Sequence, residues 1–127
     1  MSHIYVEDVG KGFPLVFVHG YLGSSEMWNF QKEFFSKHYR VIIPALPGFG
    51  ESHNVKSLDS INKMAREIID LLDQKNIDKF NLIGHSMGGM IVQEITKLIG
   101  DRVNKLICFA TGSVSYTHLT LPTSIQV

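Results

Sequence analysis

The sequence predicts an α/β protein built on a doubly wound, mostly parallel sheet, and three observations carry that prediction. A short continuous apolar run occurs at residues 14–18 and runs dominated by apolar residues at 40–43 and 80–83, the pattern of strands buried on both faces. Between them lie stretches whose apolar residues return every three or four positions, the spacing of an amphipathic helix. Strand and helix alternate along the chain without an internal repeat, and such alternation builds a parallel sheet with helical crossovers.

The elements follow in order. Residues 3–7 have mild strand character, and Gly10-Lys11-Gly12 reads as the turn after them. The run at 14–18 ends in His19-Gly20. Ser24 and Ser25 are placed to cap a helix from about Glu26 to Ser36, with Trp28, Phe34 and Phe35 as apolar contacts. The run at 40–43 is stopped by Pro44, and residues 44–52 are rich in turn formers and read as a loop. From Leu58 to Gln74 the residues Ile61, Met64, Ala65, Ile68, Leu71 and Leu72 mark one helical face. The strand at 80–83 follows. Ile91, Val92, Ile95, Leu98 and Ile99 then have helical spacing, and Gly100 is placed to end that helix. Residues 102–110 read as one more strand.

Composition narrows the function classes. The 127 residues are 44% hydrophobic and 19% charged, which suits one soluble domain with a real core. Lys plus Arg equal Asp plus Glu, 12 against 12, so nothing points to nucleic acid or an anionic membrane as partner. The single cysteine, Cys108, has no internal disulfide partner, and no Cys/His cluster has zinc spacing. The start carries two acids and lacks the layout of a secretory signal, and no apolar run reaches the roughly 18 to 20 residues of a membrane span. A cytoplasmic location is the expectation.

The chemistry concentrates at Gly84-His85-Ser86-Met87-Gly88. The spacing alone decides little, but here a strand leads directly in and a helix leads out, the setting that gives Gly-x-Ser-x-Gly its meaning. At such an elbow the serine is held in a strained backbone over the carboxyl end of the sheet. Side chains at Gly84 and Gly88 would collide with chain passing close by. The first turn of the following helix also offers unpaired amide groups to a developing negative charge.

With these residues in view, the sequence resembles the α/β-hydrolase superfamily in its esterase-like branch. Three motifs carry the resemblance in order: His19-Gly20-Tyr21-Leu22, Pro47-Gly48-Phe49-Gly50-Glu51-Ser52, and Gly84-His85-Ser86-Met87-Gly88-Gly89. It covers about residues 3 to 113, the expected partial hydrolase domain being 1–113. The resemblance implies Ser86 as nucleophile, with the backbone N–H groups of Met87 and Tyr21 as oxyanion-hole donors. It implies a small ester, thioester, lactone or activated C–C bond as substrate, with no metal and no organic cofactor. One departure is Ala45, two before Pro47, where many relatives carry an acidic residue. That bears on the hydrogen bonding of the loop, not on the chemistry.

Plainer roles suit the neighbours. His85 is adjacent to Ser86, so its side chain points away and its role is positional. His19 reads as a hydrogen-bonded scaffold residue, Trp28 and the Phe34-Phe35 pair as core, and Met87 and Met90 as packing or pocket residues. Cys108 reads as a small buried hydrophobe. A catalytically silent relative acting as a binding protein remains the alternative, because fold does not imply activity. A nucleotide-binding domain is disfavoured, since residues 19–25 lack Gly-x-Gly-x-x-Gly and no Gly-Lys-Ser/Thr occurs.

A serine hydroxyl needs a base and an orienting acid, which in this superfamily follow the serine as acid and then histidine. After Ser86 come only Glu94, Asp101 and His118. Glu94 falls inside a helix, Asp101 follows that helix, and His118 arrives one strand too early. The expectation is a truncated core, with C-terminal strands and lid missing and the 102–110 strand left as an open edge. After Lys105 the chain has no further charged residue, and "VSYTHLTLPT" at 114–123 resembles translated sequencing-adapter read-through. Residues 114–127 are therefore expected to be a foreign tail.

Overall fold

A computed structural model of the chain describes residues 3–20 and 23–109, together with a strand at 125–126. Four parallel strands form its centre in the order β3-β2-β4-β5: β2 (Pro14–Val18), β3 (Arg40–Pro44), β4 (Phe80–His85) and β5 (Val103–Phe109). β1 (Val6–Val9) lies antiparallel against β3, and a two-residue β6 (Ile125–Gln126) lies parallel to β5 opposite Leu106 and Ile107. The expected mostly parallel sheet is the observed one. The open edge expected at β5 is instead paired at those two residues. The rest of the expected foreign tail, His118 and Tyr21 all lie outside the described residues.

Winding on both faces follows from the period of two along each strand. Val16 and Val18 of β2, Ile42, Leu82, Leu106 and Cys108 point to one side. There they pack on α2 (Ile61–Gln74) and α3 (Met87–Ile99) through Met64, Ala65, Ile68, Leu72, Ile91, Val92 and Ile95. Leu15, Phe17, Val41, Ile43 and Ile83 point to the other side, against Trp28 and Phe35. Among the described residues that second face carries α1 (Asn29–Phe35) and the turn before it, and an apolar cavity of about 320 Å³ remains between α1 and β2, β4 and β5. The buried Trp28 Nε1 and Gln31 Oε1, from residues lining this cavity, have no hydrogen-bond partner.

Local chemistry sets the element ends. α1 is shorter than expected because residues Ser25–Trp28 form a 3-10 turn before it, capped by Ser24, whose hydroxyl accepts from Glu26 N–H. Trp28 is buried as anticipated, but Phe34 is 65% exposed and belongs to no core. α2 begins at Ile61 rather than Leu58 because the Ser60 hydroxyl accepts from Lys63 N–H. It ends on Asn76 at φ 58, with Ile77 N–H reaching Leu72 C=O and Asn76 N–H reaching Asp73 C=O, both at 3.0 Å. Gly100 ends α3 as expected, at φ −58 rather than in the left-handed region. A 3-10 turn continues through Arg102 instead.

β1 starts three residues later than expected, and ion pairs hold its register. Arg40 donates Nε and Nη2 to the two Asp8 oxygens at 2.9 and 2.7 Å, and Lys75 adds a bond at 2.8 Å. Arg40 first, then Lys75, holds the Asp8 carboxyl down from 3.8 to about 2. The unfolded chain takes up that proton more readily, so this stabilisation is complete above the unfolded value and lost as pH falls through about 2. It amounts to about 2 kcal/mol. Asp8→Asn is therefore expected to flatten the acid limb of stability, measured as urea unfolding between about pH 5 and pH 2. Equal acid slopes in both proteins would remove Asp8 from that role.

Candidate functional site

The chain leaves β2 by α1 to reach β3 on one side, then leaves β3 by α2 to reach β4 on the other. Winding therefore reverses between β2 and β4, and such a reversal opens a crevice at the carboxyl ends of the two strands. His19-Gly20 leaves β2 there, and Ser86 leaves β4.

Ser86 is the N-cap of α3 at φ 58 and ψ −125. An L-residue held at positive φ outside a helix costs on the order of 1–3 kcal/mol and persists only where its surroundings enforce it. Here Ser86 N–H donates to Phe109 C=O at 3.1 Å, and Gly89 N–H donates to Ser86 C=O at 2.9 Å. The glycines make room on three sides. A Cβ at Gly84 would strike the Gly88 carbonyl, and one at Gly88 would strike the Val18 and His19 carbonyls. One at Gly20 would sit 2.8 Å from Ser86 Cβ and 3.2 Å from its Oγ. Met87 is the first residue of α3, so its N–H has no intrahelical acceptor.

His19 is a scaffold residue, as its position suggested. It is fully buried, its Nδ1 lies 2.7 Å from Gly20 C=O, and its Nε2 accepts Leu46 N–H at 2.9 Å. This pattern fixes a neutral ring with the proton on Nδ1, and burial pushes its pKa down. The bond to Leu46 ties the β2 exit to the 44–52 loop. Within that loop Ser52 Oγ donates to Ala45 C=O and accepts Tyr5 N–H, each at 2.8 Å. A buried serine hydroxyl thus organises the loop beside Ala45.

The remaining candidates separate from Ser86. The His85 ring packs on Phe109 with centroids 5.0 Å apart. Glu94 is buried in α3 and accepts from Asn62 Nδ2 at 2.8 Å. Asp101 precedes β5, whereas Ser86 bonds the last residue of that strand. Seven extended residues place those two ends roughly 20 Å apart. Cys108 is buried among apolar neighbours, and burial raises its thiol to about 11. Sequence reasoning missed one contact near the site, Ser25 Oγ donating to Glu51 at 2.8 Å across 26 residues. No periodicity links two loop residues so far apart. Among the described residues no helix is long and apolar enough to cross a membrane, and no acidic, histidine or cysteine cluster could hold a metal.

Comparison with known proteins bears on this arrangement. Among curated proteins, (E)-2-((N-methylformamido)methylene)succinate hydrolase of Acinetobacter baylyi is 33% identical over 119 residues, covering 94% of this chain and 45% of that protein. Esterase YbfF of Escherichia coli is 32% identical over 106 residues, 81% of this chain and 40% of that protein. A solved thermophilic esterase from Thermogutta terrifontis superposes with a TM-score of 0.81 at 34% identity, covering 86% of this chain and 40% of that one. The chain thus spans less than half the length of each. A model of the alpha/beta hydrolase fold matches residues 14–126, and with the sheet order and the elbow described above, the chain belongs to the α/β hydrolase fold family.

Proposed function

We propose that this chain carries the nucleophile of a serine hydrolase acting on an ester, thioester, lactone or activated C–C bond of a small molecule. The observation that carries the reading is Ser86 itself, held at φ 58 between β4 and α3 with Gly20, Gly84 and Gly88 clearing its surroundings. With ψ at −125 Ser86 also lies outside the left-handed region that turn residues at positive φ ordinarily use. The relatives named above as a hydrolase and as esterases support the same reaction class.

In this reading Ser86 Oγ attacks the substrate carbonyl carbon while a base takes its proton, and the carbonyl oxygen becomes an oxyanion. Met87 N–H, at the head of α3, donates to that oxygen, and Tyr21 N–H supplies the second donor. Loss of one such donor costs about 3 to 4 kcal/mol of transition-state stabilisation. Collapse of the tetrahedral intermediate expels the leaving group and leaves an acyl-serine, which water then hydrolyses. Among the described residues His19, His85, Glu94 and Asp101 are engaged elsewhere or lie far from Ser86, so none of them is the base or the acid in this reading.

The test uses a longer protein in which residues 1–113 are continued by the C-terminal half of a hydrolase of this family. A fluorophosphonate probe is expected to label Ser86 there, and Ser86→Ala to abolish labelling and lower ester hydrolysis by roughly 10⁴-fold or more. Hydrolysis surviving in that variant would place the nucleophile elsewhere.

A further inference from the structure

Ser25 is a fully buried hydroxyl that the reaction does not use. Its Oγ donates to Glu51 Oε2 at 2.8 Å. The Glu7 carboxyl also adjoins it and is held below the usual carboxylate range, by Lys32 above all and by the Ser25 hydroxyl in addition. Lys32 Nζ bonds Glu7 Oε1, and its ammonium is stabilised by Glu7 and, more weakly, by Glu51. One hydroxyl, two carboxylates and one ammonium thus join β1, the start of the 3-10 turn, α1 and the 44–52 loop.

This network lies at one end of the segment 19–25, of which Gly20 backs onto Ser86. The segment starts at His19, whose Nε2 is bonded to Leu46 N–H, and it ends at Ser25, bonded to Glu51. Both anchors therefore attach to the same loop, 44–52. Within the segment Gly23 N–H donates to Gly20 C=O at 3.0 Å, and Gly20 backs onto Ser86. The two loops also touch directly, since a Cβ on Gly50, at φ +49, would lie 2.5 Å from Ser24 Cβ.

We infer that Glu51 is a positioning residue: through Ser25 it fixes the turn at Gly23, whose N–H holds the Gly20 carbonyl, and so the backing that Gly20 gives Ser86, the catalytic consequence resting on the reading of Ser86 as nucleophile. Its effect is local and needs an acceptor at that position, not a negative charge.

Amide hydrogen exchange on the 127-residue chain tests the anchor without any turnover. Glu51→Ala is expected to speed exchange at Gly23 by about tenfold, while Ile68 and Leu72 in α2 stay at their wild-type rates. Ser25→Ala should reproduce that effect, and the double variant should add nothing to it. Glu51→Gln, which keeps an acceptor oxygen, should restore slow exchange. An unchanged Gly23 rate in Glu51→Ala, no rescue by Gln, or an equal rise at Ile68 and Leu72 would each overturn the proposal. In the longer protein, Glu51→Ala should lower kcat about tenfold with KM nearly unchanged, again with rescue by Gln. Absence of Ser86-dependent turnover there would remove the hydrolase reading and leave the exchange result standing.

Discussion

Made as written, the 127-residue chain is expected to hydrolyse a p-nitrophenyl ester no faster than a serine hydrolase stripped of its triad. On the proposed reading, oxyanion donors alone retain at most ~10³ to 10⁴ over water. Every described candidate for base or acid is engaged elsewhere or badly placed. His19 has both ring nitrogens in contact with backbone partners and is buried in its neutral form. The His85 ring lies on Phe109, Glu94 serves Asn62, and Asp101 sits at the opposite end of β5 from Ser86. Purified chain and its Ser86→Ala variant should therefore give indistinguishable rates within that residual range. Serine-dependent turnover at ordinary esterase rates, from the soluble chain, would mean that a base is in reach after all.

Gly88→Ala is expected to lower the unfolding free energy by about 3 kcal/mol or more. The added methyl would meet the carbonyl oxygens of Val18 and His19, which are backbone atoms inside and just after β2. They cannot turn aside as a flexible side chain can. Relief would require α3 to move off the sheet, which would open the contacts of Ile91, Val92 and Ile95. Gly100→Ala is the control. It sits at φ −58, and its nearest neighbour to a new Cβ is Thr96 Cγ2 at 3.9 Å, so its stability should hold or rise slightly. Urea midpoints compare the two directly, and equal shifts would contradict the close approach of α3 to β2.

What the sequence made legible was what depends on neighbours along the chain. β2 was readable to the residue, because five consecutive apolar positions, too few for a helix and flanked by Gly12 and Gly20, suit a strand covered on both sides. The elbow was readable because strand, serine and helix follow one another directly. β1 was not, because it is an edge strand without an apolar run, and its register is fixed by Asp8 meeting Arg40 across 32 residues. Phe34 looked like core because Phe35 beside it is, yet adjacent helical positions diverge by about 100°, and only Phe35 faces Phe17. The clamp of Glu51 on Ser25 and the Ser52 bridge to Tyr5 and Ala45 connect loops. Their partners are chosen by the fold and leave no periodic trace.

The β1 margin of the sheet is guarded against another chain joining it strand to strand. β1 has only four residues, with Glu7 and Asp8 at its centre drawn into ion pairs with α1, β3 and Lys75. Short, charged strands are poor templates for another chain. A second copy laid along β1 would gain at most four residues of ladder, beside carboxylates already held by cations of its own fold.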